Sequence, residues 1–117
     1  MITTNPHEEG FAVLAENRES RPEPISEVLP RLRRGHGLTQ CELAARLLDA
    51  SGNPSITREE VSRWERGKRI PGPYWRSWLC LVLDAPQHEL ERAAAFGRRL
   101  RRMRREASSP FNRNTPR

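Results

Sequence analysis

Lysine is almost missing from this 117-residue chain: Lys68 stands alone, and the other twenty of the 21 basic residues are arginine. A planar guanidinium grips phosphate or carboxylate with two parallel donors, which an ammonium cannot do. Cysteine is scarce too, and Cys41 and Cys80 each fall in an apolar-periodic segment. Both read as reduced packing residues, because two cysteines so placed make neither a disulfide framework nor a metal site. No apolar run approaches the ~18 residues that span a bilayer, and the opening TTNPHEEG lacks the basic-then-apolar pattern of a secretory signal. The expectation is a cytoplasmic protein that does not enter the membrane. Catalytic constellations are also lacking. His7, His36 and His88 are isolated, no His/Cys cluster has metal-ligand spacing, and neither a Gly-rich phosphate loop nor a nucleophile elbow occurs. Each histidine reads as a surface residue, and the chain as a non-enzyme without cofactor or metal.

What is present is a small helical domain with a lopsided charge. A chain of this length with 35% hydrophobic residues buries one small core. The net charge of +6 and a pI near 10.8 favour an anionic partner, with nucleic acid and an acidic membrane surface both open. Residues 1–24 hold five Glu against two Arg, residues 25–90 ten basic against eight acidic groups, and residues 91–117 nine Arg against two Glu. The basic excess therefore belongs to the C-terminal end.

Residues 1–23 mix Asn, Pro, Gly and Glu around one short apolar patch, Phe11 to Ala15, and are expected to be disordered or loosely docked. A first helix can begin at Pro24, with Ile25, Val28, Leu29 and Leu32 as its buried stripe, and ends at Gly35 and Gly37. Pro30 removes one backbone bond inside it. Thr39-Gln40-Cys41-Glu42 is a capping box opening a second helix, with Leu43, Ala44, Leu47 and Leu48 inward. Ser51 to Ser55 is a cluster of turn formers. Thr57-Arg58-Glu59-Glu60 repeats the capping-box pattern before a third helix, whose inward residues are Val61 and Trp64 and whose C′ glycine is Gly67. After Pro71-Gly72-Pro73, a fourth helix carries Trp75, Trp78, Leu79, Val82 and Leu83. Residues 24–85 thus form the main domain. A fifth, basic helix follows within 86–107, with Ala93, Phe96, Leu100, Met103 and Ala107 as a narrow coiled-coil-like seam. The tail 108–117 is expected to be disordered.

The run LRRGHGLTQCELAARL followed by ITREEVSRWERGKRIP resembles the XRE (lambda-repressor-like) helix-turn-helix family, whose pattern combines L-T-Q-x-E-L-A with I-S-x-x-E-x-G-x-x-x-P. The resemblance covers residues 25–85. It implies an all-α, five-helix domain, here with an extended helix-turn-helix turn and a basic C-terminal helix. It also implies a DNA-binding transcriptional regulator, a repressor or its like, acting as a homodimer on double-stranded DNA at a palindromic or pseudo-palindromic operator. By the same resemblance Gln40 touches the DNA backbone and supports the first reading side chain, and Ala44 allows close packing of helices 2 and 3. Val61 is then the buried aliphatic of the reading helix, and Glu65 pairs with Arg33.

With Val61 inward, Thr57, Arg58, Glu59, Ser62 and Arg63 fall at or near the outward tip of the third helix. Arginine can pair with guanine O6 and N7, and glutamate can accept from cytosine N4. Glu60 is expected to act mainly as the reciprocal cap of Thr57. Arg66, Lys68 and Arg69 surround the end of the helix, where phosphates would pass and a helix C-terminus also favours cations. The chain departs from the family pattern at the turn: eight residues, Leu48 to Ser55, stand where the pattern has about one.

Arginines 92, 98, 99, 101, 102, 104 and 105 surround the seam of the fifth helix. Three roles compete: a dimer or partner seam over Phe96, Leu100 and Met103, an arm along phosphates, or a dock for an acidic protein such as a transcription-machinery subunit. The acidic N-terminal segment is a further candidate to cover this basic surface.

Overall fold

The computed structural model describes residues 22–107, which form five helices and no strand. In chain order these are α1 (Ile25–Gly35), α2 (Gln40–Ser51), α3 (Arg58–Glu65), α4 (Pro73–Leu83) and α5 (Gln87–Ala107). The expectations for residues 1–21, including the acidic cover, and for the tail 108–117 lie outside the described residues.

Pro24 is the N-cap of α1, and its carbonyl accepts from the amides of Glu27 and Val28 at 2.9 and 3.1 Å. The helix therefore begins one residue after the proline. Ile25, Val28 and Leu29 are buried, and Leu32 packs half-buried against the same core. Pro30 lies inside the helix without ending it. It costs one i→i−4 hydrogen bond in the middle of a helix already fastened by its apolar stripe.

The capping box of α2 is complete. Thr39 Oγ1 accepts from the Glu42 amide at 3.0 Å, and the Glu42 carboxylate accepts from the Thr39 amide at 2.9 Å. Leu43, Ala44 and Leu47 point inward, but Leu48 is 40% exposed and Cys41 is exposed as well. Both corrections follow from helical geometry: at ~100° per residue, positions 41 and 48 fall about a quarter-turn or more from the centre of the stripe 43, 44 and 47.

Half of the long turn is helix. Leu48 to Ser51 continue α2 until Gly52 ends it at φ 69°, a left-handed conformation that suits glycine. The remainder is knitted together. Asn53 Oδ1 accepts from the Ser55 amide at 3.0 Å, and Asn53 Nδ2 donates to the Tyr74 hydroxyl at 3.3 Å. Buried Ile56 then returns the chain to the core.

Val61 and Trp64 bury one side of α3, and Gly67, at φ 74°, turns the chain out of it. In α4, Leu79 and Leu83 are buried whereas Trp75, Trp78 and Val82 are half-buried. The third fully enclosed residue of α4 is a charged one, Arg76. Its Nε and NH2 reach Glu91 of α5 at 3.0 and 2.9 Å, and NH1 donates to the Pro71 carbonyl at 2.7 Å. A buried cation with three such acceptors is satisfied.

α5 docks on this chain through Leu90, Ala93, Ala94 and Gly97. This buried face lies beside the expected dimer or partner seam and shares only Ala93 with it. Gly97 faces inward because a Cβ there would lie 3.3 Å from Ile70 Cδ1 and 3.6 Å from Ile25 Cγ2. Phe96 is only half-buried and Met103 is 55% exposed. The bundle closes with α1 against α3 and α5, α2 against α3 and α4, and α4 against α5.

Candidate nucleic-acid interface

Three helices meet at one carboxylate. Glu65, the last residue of α3, accepts from Arg33 of α1 through two bonds, Nε to Oε2 at 2.7 Å and NH2 to Oε1 at 2.9 Å. Gln40, the first residue of α2, donates its Nε2 to the same Oε1 at 2.9 Å. The two charged side chains are 10% and 6% exposed, so this ion pair is shielded from water. Arg33 also donates to the Leu38 carbonyl at 2.9 Å. Its pKa lies above the ordinary arginine value, chiefly through the hydrogen bond to Glu65. The side-chain oxygen of Gln40 is in turn 3.4 Å from Arg58 NH1, the longest link of the chain.

α3 begins at Thr57, whose hydroxyl accepts from the Glu60 amide at 3.2 Å. The second half of the expected capping box does not form. The Glu60 carboxylate turns sideways to Arg63 at 3.1 Å and to Arg69 at 3.6 Å, because two guanidiniums outcompete a single amide for a carboxylate. Arg58 and Glu59 are exposed, while Ser62 and Arg63 are half-buried. Arg66 and Lys68 are exposed at the helix exit, and among the described residues no carboxylate pairs with Arg58, Arg66 or Lys68. The tip and exit of α3 thus present unpaired cations, and Glu60 restrains two neighbours.

Beyond the exit, Arg101 of α5 donates NH1 to the Gly67 carbonyl at 3.1 Å and to the Lys68 carbonyl at 2.6 Å. These carbonyls follow the helix end, where a cation is favoured by the helix dipole. In the sequence Arg101 is one arginine of a basic run. Its partners are more than thirty residues away, and no local pattern announces such a bond. The places of Arg76 and Gly97 are likewise set by distant parts of the chain. Their signals were an arginine amid the apolar residues of α4 and a glycine inside an otherwise strong helix. Among the proposed seam residues, Leu100 lines a cleft with Ile25, Ile70 and Arg104, while Phe96 carries the Arg99 guanidinium 5.4 Å from its ring centroid.

His36 Nε2 is 2.7 Å from the Leu83 carbonyl, which requires the proton on that nitrogen and ties the end of α1 to the end of α4. The role is structural. Among the described residues there is no cluster of His, Cys, Asp and Glu able to hold a metal, and no helix long and apolar enough to cross a membrane. No family model, curated protein or solved structure matches the chain.

Proposed function

We propose that this chain is a sequence-specific DNA-binding transcriptional regulator of the lambda-repressor-like helix-turn-helix type. It acts as a homodimer on a palindromic or pseudo-palindromic operator, with α3 in the major groove. The observation that carries the proposal is the chain of contacts from Arg33 through Glu65 and Gln40 to Arg58. A reading helix must be fixed at its base and free at its outer edge. Here the base of α3 is tied to both preceding helices, and Arg58 and Glu59 stay exposed.

Arg58 is the foremost candidate to pair with guanine, and Glu59 to accept from cytosine. Arg63 begins in a bond to Glu60, so its share of base readout is smaller. Gln40, Thr57 and Ser62 border the same edge, and Arg66, Lys68 and Arg69 supply phosphate contacts at the exit. The continuation of α2 to Ser51, with Asn53 pinned to Tyr74, favours this reading, since it gives the lengthened turn one defined path into α3. Phe96 and Met103, on the less buried side of α5, are the residues assigned to the dimer contact.

The test is charge reversal. Genomic fragments captured by the purified protein define a preferred duplex, and Arg58→Glu with Arg63→Glu is titrated against it at fixed salt. Loss of about 1–3 kcal/mol of preference over a scrambled duplex is expected for each well-made base contact removed. Preference that survives both substitutions rules the reading helix out.

A further inference from the structure

We infer that the C-terminal half of α5 is a second DNA contact, a rail of arginines that grips one phosphate strand beside the exit of α3. The inference rests on the DNA-binding reading above and assigns a partner to a surface that reading does not use.

Arg98, Arg101, Arg102 and Arg105 recur at i, i+3, i+4 and i+7, so they share one stripe of the helix. The core face of α5, Leu90, Ala94 and Gly97, leads along the axis to Arg101 at the same spacing. Arg101 is therefore where the buried face and the arginine stripe meet, and its two bonds to the Gly67 and Lys68 carbonyls lock the stripe to the exit of α3. Arg69 lines the same cleft as Arg101, so the exit cations and the stripe form one continuous surface. Arg98, Arg102 and Arg105 are exposed, and among the described residues no carboxylate lies within ion-pair distance of them, Glu91 feeling the charge of Arg98 only from further off.

Cations held this close repel one another, and a polyanion is the partner that relieves several at once. From Arg98 to Arg105 the helix rises about 10 Å. Measured along the duplex axis that is roughly three base-pair steps at ~3.4 Å each, the reach of one short backbone segment. Arginine suits bidentate phosphate contact, and a helix fastened to α3 needs no further ordering when α3 enters the groove. A dimer seam along this stripe would set arginine against arginine, which disfavours a second copy of the chain as its occupant.

The experiment measures affinity of the full chain for the preferred duplex and for its scrambled counterpart over a range of salt. The triple variant Arg98→Gln, Arg102→Gln and Arg105→Gln is expected to lower the slope of log affinity against log salt by about 2.7 for each bound protomer, on both duplexes. Between about 50 and 200 mM salt the unmodified chain then loses about 40-fold more affinity per bound protomer than the variant. A control variant, Arg34→Gln with Arg46→Gln, exposed arginines of α1 and α2 outside both proposed contacts, keeps the original slope, and a matching melting temperature shows that both variants are folded. An unchanged slope in the triple variant overturns the rail. So does an equal fall in the control, which would mean diffuse charge. If the slope is unchanged and the triple variant instead loses binding to polyglutamate, an acidic protein is the occupant and the rail is again overturned. Equal binding of both duplexes by the unmodified chain sinks the sequence-reading function alone, because the slope test for the rail needs no preferred site.

Discussion

Arg33 and Glu65 lie 2.7 Å apart across 32 residues of sequence, in a two-point ion pair that joins the first helix to the end of the third. Both side chains are shielded, so removing one partner strands a charge in the protein. Arg33→Met or Glu65→Leu alone is expected to destabilise the fold by about 3 kcal/mol, whereas the two combined recover most of that loss. Urea unfolding of the two single variants and the double variant checks this. A double variant as unstable as the sum of the singles would show that the pair is not coupled.

The Arg76–Glu91 pair makes stability depend on acid. The hydrogen bond from Arg76 lowers the Glu91 carboxyl below its ordinary value of 4.5, with Gln87 adding a second donor. A depressed carboxyl binds its proton less readily in the folded state than in the unfolded one. Its contribution is therefore fully present above the ordinary carboxylate range and lost as pH falls below it. Glu91→Gln is expected to lower the melting temperature at pH 7 and to flatten its decline as pH falls below about 4.5. Melting curves across that window decide the matter, and parallel declines in both proteins would refute it.

Gly97 allows two opposite outcomes at one position. Alanine gains up to ~1 kcal/mol of helix propensity, and its Cβ meets only the end of the flexible Ile70 side chain at 3.3 Å. Gly97→Ala is expected to be neutral or mildly stabilising. Valine adds two methyl groups facing Ile25 and Ile70, and overpacking of about 1–3 kcal/mol then dominates. Thermal melts of the two variants should move apart, with valine lower; a valine variant as stable as the glycine parent would contradict the close approach of α5.

The two thiols should react at different rates. Cys41 is exposed, while burial, with smaller help from Glu91 and Glu89, pushes the Cys80 thiol above its ordinary range. Since the thiolate is the nucleophile, an aromatic disulfide reagent at neutral pH is expected to titrate Cys41 first and Cys80 slowly. Cys41→Ser removes the fast phase. Should the fast phase survive that substitution, the assignment is reversed.

Much of the local architecture was legible in the order of residues. Thr39 and Glu42, three apart, form the complete capping box, and the apolar stripe Ile25, Val28 and Leu29 runs into the core. Such features involve neighbours within one or two helical turns, and helical periodicity reports them directly. The same rule failed in detail at Thr57, where Glu60 matches a capping box by spacing but is drawn to Arg63 and Arg69. Local pattern names the possible partners of a carboxylate, and the folded chain decides which cations reach it.

The sequence by itself determined that this protein is helical, where most of its helices begin and end, though not that α2 runs on to Ser51, and that its arginine excess lies at the C-terminal end. Only tertiary structure decided which face of α5 is buried, because Gly97 admits Ile25 and Ile70 from two other parts of the chain. It also decided that Arg76 is enclosed and that Arg101 is tied to the exit of α3. The physical reason is common to all three. A charged or absent side chain carries no intrinsic address, and its place is set by carbonyls, carboxylates and apolar groups brought near only when the helices pack.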